Sequence, residues 1–268
     1  MGRSLSFEKS RDFVQSLARG LAVLRAFDGE HATLNVAGIA ARARMSRAAA
    51  RRLVLTLEHL GYVRASGRDY ALGPRVLELG FGYVGSHRLT DLAQPLLEAL
   101  AHRIGFSCSL AVLDGQSIVY VLRVPVQRLM TVALGAGARL PAYCASMGRV
   151  LLAGLGPEEL AGWIAACRPV AHTQYTLTDP LRLRQVVGET RAQGHAYVEQ
   201  ELELGLCSIA VPVGDHEGRV IAALNASMPY HPDVRRQAHA RVLPELRATA
   251  AALRQALPPH TLPPVAAA

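Results

Sequence analysis

Residues 45–63 read MSRAAARRLVLTLEHLGYV, and this stretch decides the fold of the first part of the chain. Ser46 is a favourable N-cap residue and Gly61 is a typical C-terminal stop, so the sequence predicts a helix between them. The apolar residues that recur at helical spacing and are expected to face the core are Leu53, Leu57 and Leu60. The remaining side chains of the helix then point away from that core.

Two more helices are predicted before this stretch and a hairpin after it. The first helix begins near Ser16, and the second follows Asn35, another good N-cap. Strands are predicted over 62–65 and 70–72, around the turn residues 66–69 (SGRD). The apolar residues that define the first helical pattern, at spacings of four and three, are Leu17, Leu21, Leu24 and Phe27. Helix, helix, turn, helix and hairpin is the order of a winged helix-turn-helix.

The remainder of the chain alternates between helical and strand-like hydrophobic periods. Helices are predicted over 92–104, 146–155, 157–166, 180–193 and 233–257. Strands are predicted over 107–113, 117–124, 129–134, 196–199, 207–213 and 219–227. Because hairpins join most of these strands, we expect an α+β domain rather than a doubly wound nucleotide-binding fold. The expected order is a winged helix-turn-helix over 13–74, a linker helix over 75–91, the α+β domain over 92–257 and a disordered tail over 258–268.

Positive charge is concentrated in the first part of the chain. The formal net charge is +8, of which residues 1–75 carry +7 and residues 76–268 only +1. Such asymmetry is typical of a domain that binds nucleic acid or another anionic surface. The alternative is a basic domain that is merely soluble.

Side chains suited to double-stranded DNA cluster on and around the predicted 46–60 helix. Arg47 and Arg51 lie one turn apart and project away from the leucine stripe, so they are candidates for base contacts in the major groove. Ala48 and the two alanines after it keep that end of the helix thin. The residues better suited to phosphate or minor-groove contacts are Arg42, Arg44, Ser46, Arg52, Arg64 and Arg68. The alternative is a solvated arginine-rich face.

The cysteines and the apolar stretches exclude other classes of protein. The four cysteines form no CxxC pair, so we expect buried, reduced thiols and predict no metal site and no cofactor. Charged residues interrupt every apolar stretch before the roughly 18 residues that a membrane span needs. The first residues lack the apolar core of a secretory signal. The sequence therefore predicts a cytoplasmic protein without a membrane partner.

Four motifs together resemble those of a known family. Besides 45–63, they are YALGPRVLELG at 70–80, LPAYCASMGRVLLA at 140–153 and ELGLCSIAVPV at 203–213. From about Phe13 to Leu257 the chain resembles the IclR family of bacterial transcription regulators. It looks most like the branch that controls protocatechuate, 4-hydroxybenzoate and β-ketoadipate catabolism, the PcaR, PcaU and PobR group.

The resemblance implies an architecture and a function. The architecture is a winged helix, a linker helix and a C-terminal effector-binding domain with a GAF-like sheet. The function is that of a ligand-responsive regulator that binds operator DNA as a homodimer, or as a homotetramer made of two dimers. The implied effector is a small organic acid, and the resemblance implies no enzymatic activity.

The expected effector site combines a helix start with two strands. The free N–H groups at the start of the predicted 146–155 helix can hold a carboxylate. Asn225 and Ser227 are two residues apart and share one face of their strand. The effector-contacting positions that the resemblance carries over are Ser146, Met147, Ser208, Asn225 and Ser227, with an apolar wall of Leu129, Leu134 and Leu140. Tyr143 and Gly148 are added because they belong to the segment at the same helix start. Arg149 is expected either to assist binding or to face solvent, and a solvated loop is predicted for Glu199, Glu201 and Glu203.

Two alternatives stay open from the sequence. The first is a small-molecule enzyme with an appended DNA-binding domain, in which Cys144 is a nucleophile and one of the ten histidines is its base. The absence of a GxSxG elbow and of an HExxH motif argues against it. The second is an architectural protein that coats DNA without sensing a ligand. A completely filled C-terminal domain would favour it, whereas polar groups converging on a cleft would oppose it.

Overall fold

A computed structural model describes residues 7–8, 10–79, 89–126 and 135–258. The chain divides into two compact units, Met1–Ser86 and His87–Ala268. Of the predicted linker helix, residues 76–79 are helical, and 80–88 lie outside the described residues. The predicted strand over 129–134 and the tail beyond Pro258 also lie outside them. Across the described ranges, every helix is too short or too polar to span a lipid bilayer.

The first unit is a winged helix. Its helices are α1 (Gln15–Leu24), α2 (Val36–Arg42) and α3 (Arg47–His59), and its strands are β1 (Thr33–Leu34), β2 (Val63–Ser66) and β3 (Asp69–Leu72). The strands form an antiparallel sheet in the order β1-β3-β2. The predicted caps form, since Asn35 Oδ1 accepts a hydrogen bond from the Gly38 N–H at 2.9 Å and Ser46 Oγ from the Ala49 N–H at 3.3 Å. Strand β1 was not predicted, because two residues carry no periodic signal.

The core of this unit differs from the predicted leucine stripes. On α3 the buried residues are Ala50 and Val54, while Leu53 and Leu57 are only partly buried. The prediction for Leu60 was wrong: this residue caps the helix and its side chain is 45% exposed. Leu17 and Leu21 of the first helical pattern are also exposed, at 63% and 42%. Helix α1 packs through its last turn and the residues after it, so the buried side chains there are Val23, Ala26 and Phe27.

The second unit is built on a six-stranded antiparallel sheet. The strands are β4 (Ser107–Asp114), β5 (Ser117–Val124), β6 (Arg139–Pro141), β7 (Ala196–Glu199), β8 (Leu206–Gly214) and β9 (Val220–Pro229), and their order is β6-β5-β4-β9-β8-β7. The helices are α4 (Leu89–Ile104), α5 (Ser146–Gly154), α6 (Pro157–Ala166), α7 (Pro180–Gln193), α8 (Val234–Gln237) and α9 (Leu243–Ala256). The predicted α+β class is confirmed.

Helices cover both faces of this sheet. On one face α4, α8 and α9 pack against the apolar residues that alternate along the central strands, among them Ile209, Val211 and Leu224. On the other face α5, α6 and α7 pack against smaller residues such as Ala210 and Ala223. Successive residues of a strand point to opposite faces, so β8 and β9 contribute side chains to the hydrophobic layers on both faces of the sheet.

A single helix was predicted over 233–257, but the structure interrupts it. One π-helical segment, Ala238–Val242, separates α8 from α9. Pro244 stands at the start of α9, and proline has no N–H to donate to the carbonyl one turn earlier. The missing donor gives a local reason for the change of hydrogen-bond register at this point.

Candidate nucleic-acid interface and effector cleft

The exposed face of α3 is cationic and narrow. Arg47, Ala48, Arg51 and Arg52 are all exposed. Within the described ranges, the guanidinium groups of these three arginines make no hydrogen bond or ion pair. Three cationic side chains without a partner in the described ranges, beside a surface of small alanines, are chemically suited to a groove lined by anionic groups. Ser46 is occupied by its capping bond, although a hydroxyl can also donate a hydrogen bond to a phosphate.

The two arginines before α3 differ in their surroundings. Arg42 Nε donates to the Ala26 carbonyl at 2.6 Å, and Arg42 Nη2 forms an ion pair with the Asp28 carboxylate. Arg42 therefore ties α2 to the segment after α1, which favours a structural role over the phosphate contact that was predicted. Arg44 is exposed and its backbone is left-handed, with φ of +52°.

The wing carries the other two predicted arginines. Strands β2 and β3 pair from Val63 opposite Leu72 to Ser66 opposite Asp69, which leaves a two-residue turn of Gly67 and Arg68. Arg64 and Arg68 are both exposed. The hairpin thus presents two further cations to solvent in the same unit as α3.

The predicted effector positions surround a cleft on the face of the sheet that α5 covers. Ser208, Asn225 and Ser227 reach it from β8 and β9, and the segment 144–147 reaches it at the start of α5. Its cavity has a volume of only about 20 Å³, the space of about one water molecule. The other lining residues are Tyr120, Leu140, Val198, Glu201, Leu202 and Leu206. The predicted helix start and strand positions therefore meet at one site.

Two buried polar atoms in this cleft have no protein partner. Ser146 Oγ and Asn225 Oδ1 are inaccessible to solvent and make no hydrogen bond, whereas Asn225 Nδ2 donates to Ser227 Oγ at 3.4 Å. Buried polar atoms are rarely left unpaired, because the loss of hydration is not repaid. The N-cap of α5 is Ala145, which has no side-chain acceptor for the first N–H groups of the helix. The cleft therefore offers hydrogen-bonding groups to a bound molecule.

Two of the predicted contact residues do not line the cleft. The Tyr143 hydroxyl donates to the Val170 carbonyl at 2.8 Å and lies 3.0 Å from His172 Nε2, so it holds the loop after α6. Gly148 packs against Ala142, where an added Cβ would lie only 2.0 Å from the carbonyl oxygen. Leu129 and Leu134 lie outside the described residues.

Glu201, which lines the cleft, belongs to a buried ion pair that sequence reasoning missed. Arg149 Nη2 lies 2.8 Å from the Glu201 carboxylate, and the two residues are only 4% and 9% exposed. Glu201 also accepts a hydrogen bond from the Leu177 N–H at 3.0 Å. The prediction of a solvated loop was thus wrong for Glu201, because Arg149, expected to assist binding or to face solvent, pairs with it instead. Glu199 is partly buried and accepts a hydrogen bond from the Tyr197 hydroxyl at 2.9 Å, and Glu203 is also partly buried.

The cysteines are poor nucleophiles. All four are free and buried, as predicted. Burial and the neighbouring Glu201 charge raise the pKa of the Cys144 thiol to about 12, so it is protonated at neutral pH. No group of three or more potential metal ligands occurs in the ranges that the structure covers.

A cationic winged helix on the same chain as a domain with a polar-lined cleft defines a class, the ligand-responsive transcription regulators. The chain matches the helix-turn-helix domain of IclR regulators over residues 16–67 and their C-terminal domain over residues 81–255. It belongs to the IclR family of bacterial transcriptional regulators, which confirms the resemblance predicted from its motifs.

Individual relatives extend this assignment. The chain is 43% identical to the Pca regulon regulatory protein of Pseudomonas putida, over 92% of this chain and 85% of the relative. It is 36% identical to the p-hydroxybenzoate hydroxylase transcriptional activator of Acinetobacter baylyi, over 92% and 93% of the two chains. An IclR homologue from Microbacterium hydrocarbonoxydans, solved as a complex with 4-hydroxybenzoate, superposes with a TM-score of 0.79, at 27% identity and over 90% and 98% of the two chains. The names of the first two relatives support the predicted branch of the family.

Proposed function

We propose that this protein binds operator DNA through α3 and the wing and senses an aromatic carboxylic acid in the cleft of its second unit. The observation that carries the effector proposal is the pair of unpartnered atoms, Ser146 Oγ and Asn225 Oδ1, beside the uncapped start of α5. A carboxylate can accept from the Ser146 hydroxyl and from free helix N–H groups, where the helix dipole also favours an anion. The carboxylate would pair with Ser146 Oγ, whereas Asn225 Oδ1 is an acceptor and needs a donor such as the ring hydroxyl of a hydroxybenzoate.

The relatives support the aromatic class of ligand. One is solved with 4-hydroxybenzoate, and another is a p-hydroxybenzoate hydroxylase activator. The apolar side chains of the cleft, among them Tyr120, Leu140 and Leu202, can pack against a ring while its carboxylate meets the helix start. A hydroxybenzoate or a related pathway acid is the effector we assign to the site.

For DNA binding we assign base contacts in the major groove to Arg47 and Arg51, and we place Ala48 on the helix surface that faces this groove. Phosphate contacts are assigned to Arg44, Ser46, Arg52, Arg64 and Arg68. Arg42 is left out of this set because of its internal ion pair.

We further propose self-association, a cytoplasmic location and the absence of catalysis. Val14, Leu17 and Leu21 expose a continuous apolar surface at α1, which is suited to an apolar partner such as a second copy of the chain. The protonated Cys144 thiol supports a sensor over an enzyme.

Calorimetric titration with 4-hydroxybenzoate tests the effector assignment. We expect binding by the wild type and a loss of about tenfold in affinity for Ser146→Ala, since a hydrogen bond to a charged group contributes roughly 1.5–3 kcal/mol. Ser117→Ala, in the same unit but not lining the cleft, is the matched control and should bind as the wild type does. The absence of heat with 4-hydroxybenzoate, protocatechuate and β-ketoadipate alike would refute the assignment, as would equal affinities for the two variants.

A further inference from the structure

Helices α2 and α3 end in the same hydrogen-bonded motif. After α2, the Arg44 N–H donates to the Ala41 carbonyl and the Met45 N–H to the Ala40 carbonyl. After α3, the Gly61 N–H donates to Glu58 and the Tyr62 N–H to Leu57 in the same pattern. Both are Schellman motifs, which place one residue in the left-handed region.

The two motifs differ in the residue that takes the left-handed conformation. At the end of α3 this residue is Gly61, with φ of +81°, which has no Cβ to clash. At the end of α2 it is Arg44, with φ of +52°. A residue with a Cβ is disfavoured there, and the turn of a helix-turn-helix often contains glycine. The turn before α3 therefore carries a strain that its counterpart after α3 avoids.

Nothing in the fold of the described residues explains the choice of arginine at this turn. In those ranges Arg44 and Gln200 are the only non-glycine residues with positive φ. The Gln200 side chain is used locally, since its Oε1 accepts a hydrogen bond from the Gly205 N–H at 3.0 Å. The exposed Arg44 guanidinium has no hydrogen bond or ion pair with the described part of the chain.

We propose that the Arg44 guanidinium binds a DNA phosphate. The left-handed backbone at Arg44 makes the turn less stable, so the residue that raises DNA affinity at this position also lowers the stability of the fold. Arg44 lies two residues before the N-cap of α3, next to the exposed cation Arg47. Strained backbone that persists without a structural reason is typical of functional positions. The inference rests on the proposed DNA-binding function of α3.

The test compares full-length variants at this position in thermal unfolding and in binding to a mixed-sequence DNA duplex over a range of salt concentrations. Arg44→Gly should unfold at a temperature several degrees higher, bind about tenfold more weakly at low salt, and show a salt slope lower by about one unit. Arg44→Lys should keep the wild-type melting temperature and most of the affinity. Arg44→Asn, which tolerates the left-handed region without charge, should bind as weakly as Arg44→Gly.

The control variant is Arg19→Gln on α1, which removes the same charge from another exposed position of this unit. It should alter affinity much less than Arg44→Asn. If Arg44→Gly binds with wild-type affinity and slope, or melts at a lower temperature, the inference fails while the DNA-binding function stands. If the wild type itself does not bind the duplex, both fail.

Discussion

At the scale of single residues, the Arg149–Glu201 pair holds Glu201, one of the residues that line the cleft. Its two charges are almost completely buried and lie 2.8 Å apart. The pair joins α5 to the loop before β8, and Thr176 Oγ1 donates to the Glu201 carbonyl at 2.6 Å, which adds the segment after α6 to the same cluster. A ligand that displaces the Glu201 loop would therefore act on three parts of the unit together.

Removing one partner of this pair should be costly. Arg149→Met leaves the Glu201 carboxylate buried without its counter-ion, and we expect a loss of about 3–5 kcal/mol in the free energy of unfolding. Urea denaturation measures it. The matched control is Arg103→Met, which breaks the exposed pair of Arg103 with Glu245 and should change stability by about 0–1 kcal/mol. Equal losses in the two variants would contradict the structural role assigned to the buried pair.

At the scale of elements, the position of α5 depends on a close contact of its backbone with the preceding segment. Gly148 lies against Ala142, and a Cβ at this position would overlap the carbonyl oxygen at 2.0 Å. The start of α5 can approach the cleft only because residue 148 has no side chain. The glycine thus acts on the effector site by placing the helix and not by touching the ligand.

Two glycine substitutions in neighbouring helices should have opposite effects. Gly148→Ala forces α5 away from the Ala142 segment, and we expect a loss of about 1–3 kcal/mol in stability together with weaker effector binding. Gly162→Ala in α6 meets no atom within 4 Å and should stabilise the protein by about 0.4–1 kcal/mol. Thermal unfolding of both variants distinguishes them, and a stabilised Gly148→Ala protein would show that the contact is looser than described.

Elements with strong end signals could be predicted closely from the sequence. Asp179 caps α7 through bonds from the Leu181 and Arg182 N–H groups, and Gly194 closes it with positive φ, so the predicted bounds of this helix are confirmed. The strand bounds 117–124 and 196–199 are confirmed as well. These signals are local, because a cap or a turn is formed by residues next to one another.

Features set by tertiary contacts could not be predicted in the same way. The spacing of Leu17 and Leu21 resembles that of Val23 and Phe27, and only the packing of α1 decides which of them are buried. The pairing of Arg149 with Glu201 spans 52 positions along the chain and leaves no local pattern. In the cleft, the start of α5 and the positions on β8 and β9 could be predicted from the sequence, because strand alternation and helix ends are local properties.

At the scale of the whole molecule, charge is divided between the units. The first 75 residues carry +7 of the total charge of +8, and the second unit is nearly neutral. DNA binding through the first unit would release counter-ions from the duplex, whereas the proposed effector would bind in a cleft whose one lining charge, among the described residues, is neutralised by Arg149. The two binding activities should therefore respond differently to salt.

This difference can be measured on one preparation of the full-length protein. Between about 50 and 200 mM salt we expect DNA affinity to fall by orders of magnitude and effector affinity to change by less than about threefold. Arg52→Ala should weaken binding to all DNA sequences alike and lower the salt slope by about one unit. An Arg52→Ala protein with wild-type affinity and slope would remove this residue from the interface.

Neighbouring residues of β8 and β9 belong to different layers of the second unit. Ser208 and Asn225 shape the binding cavity, while Ile209 and Leu224, directly after and before them, fill the dry layer beneath α9. Substitutions at Ser208 or Asn225 should therefore alter which ligand the cavity accepts while the packing beneath α9 is left in place.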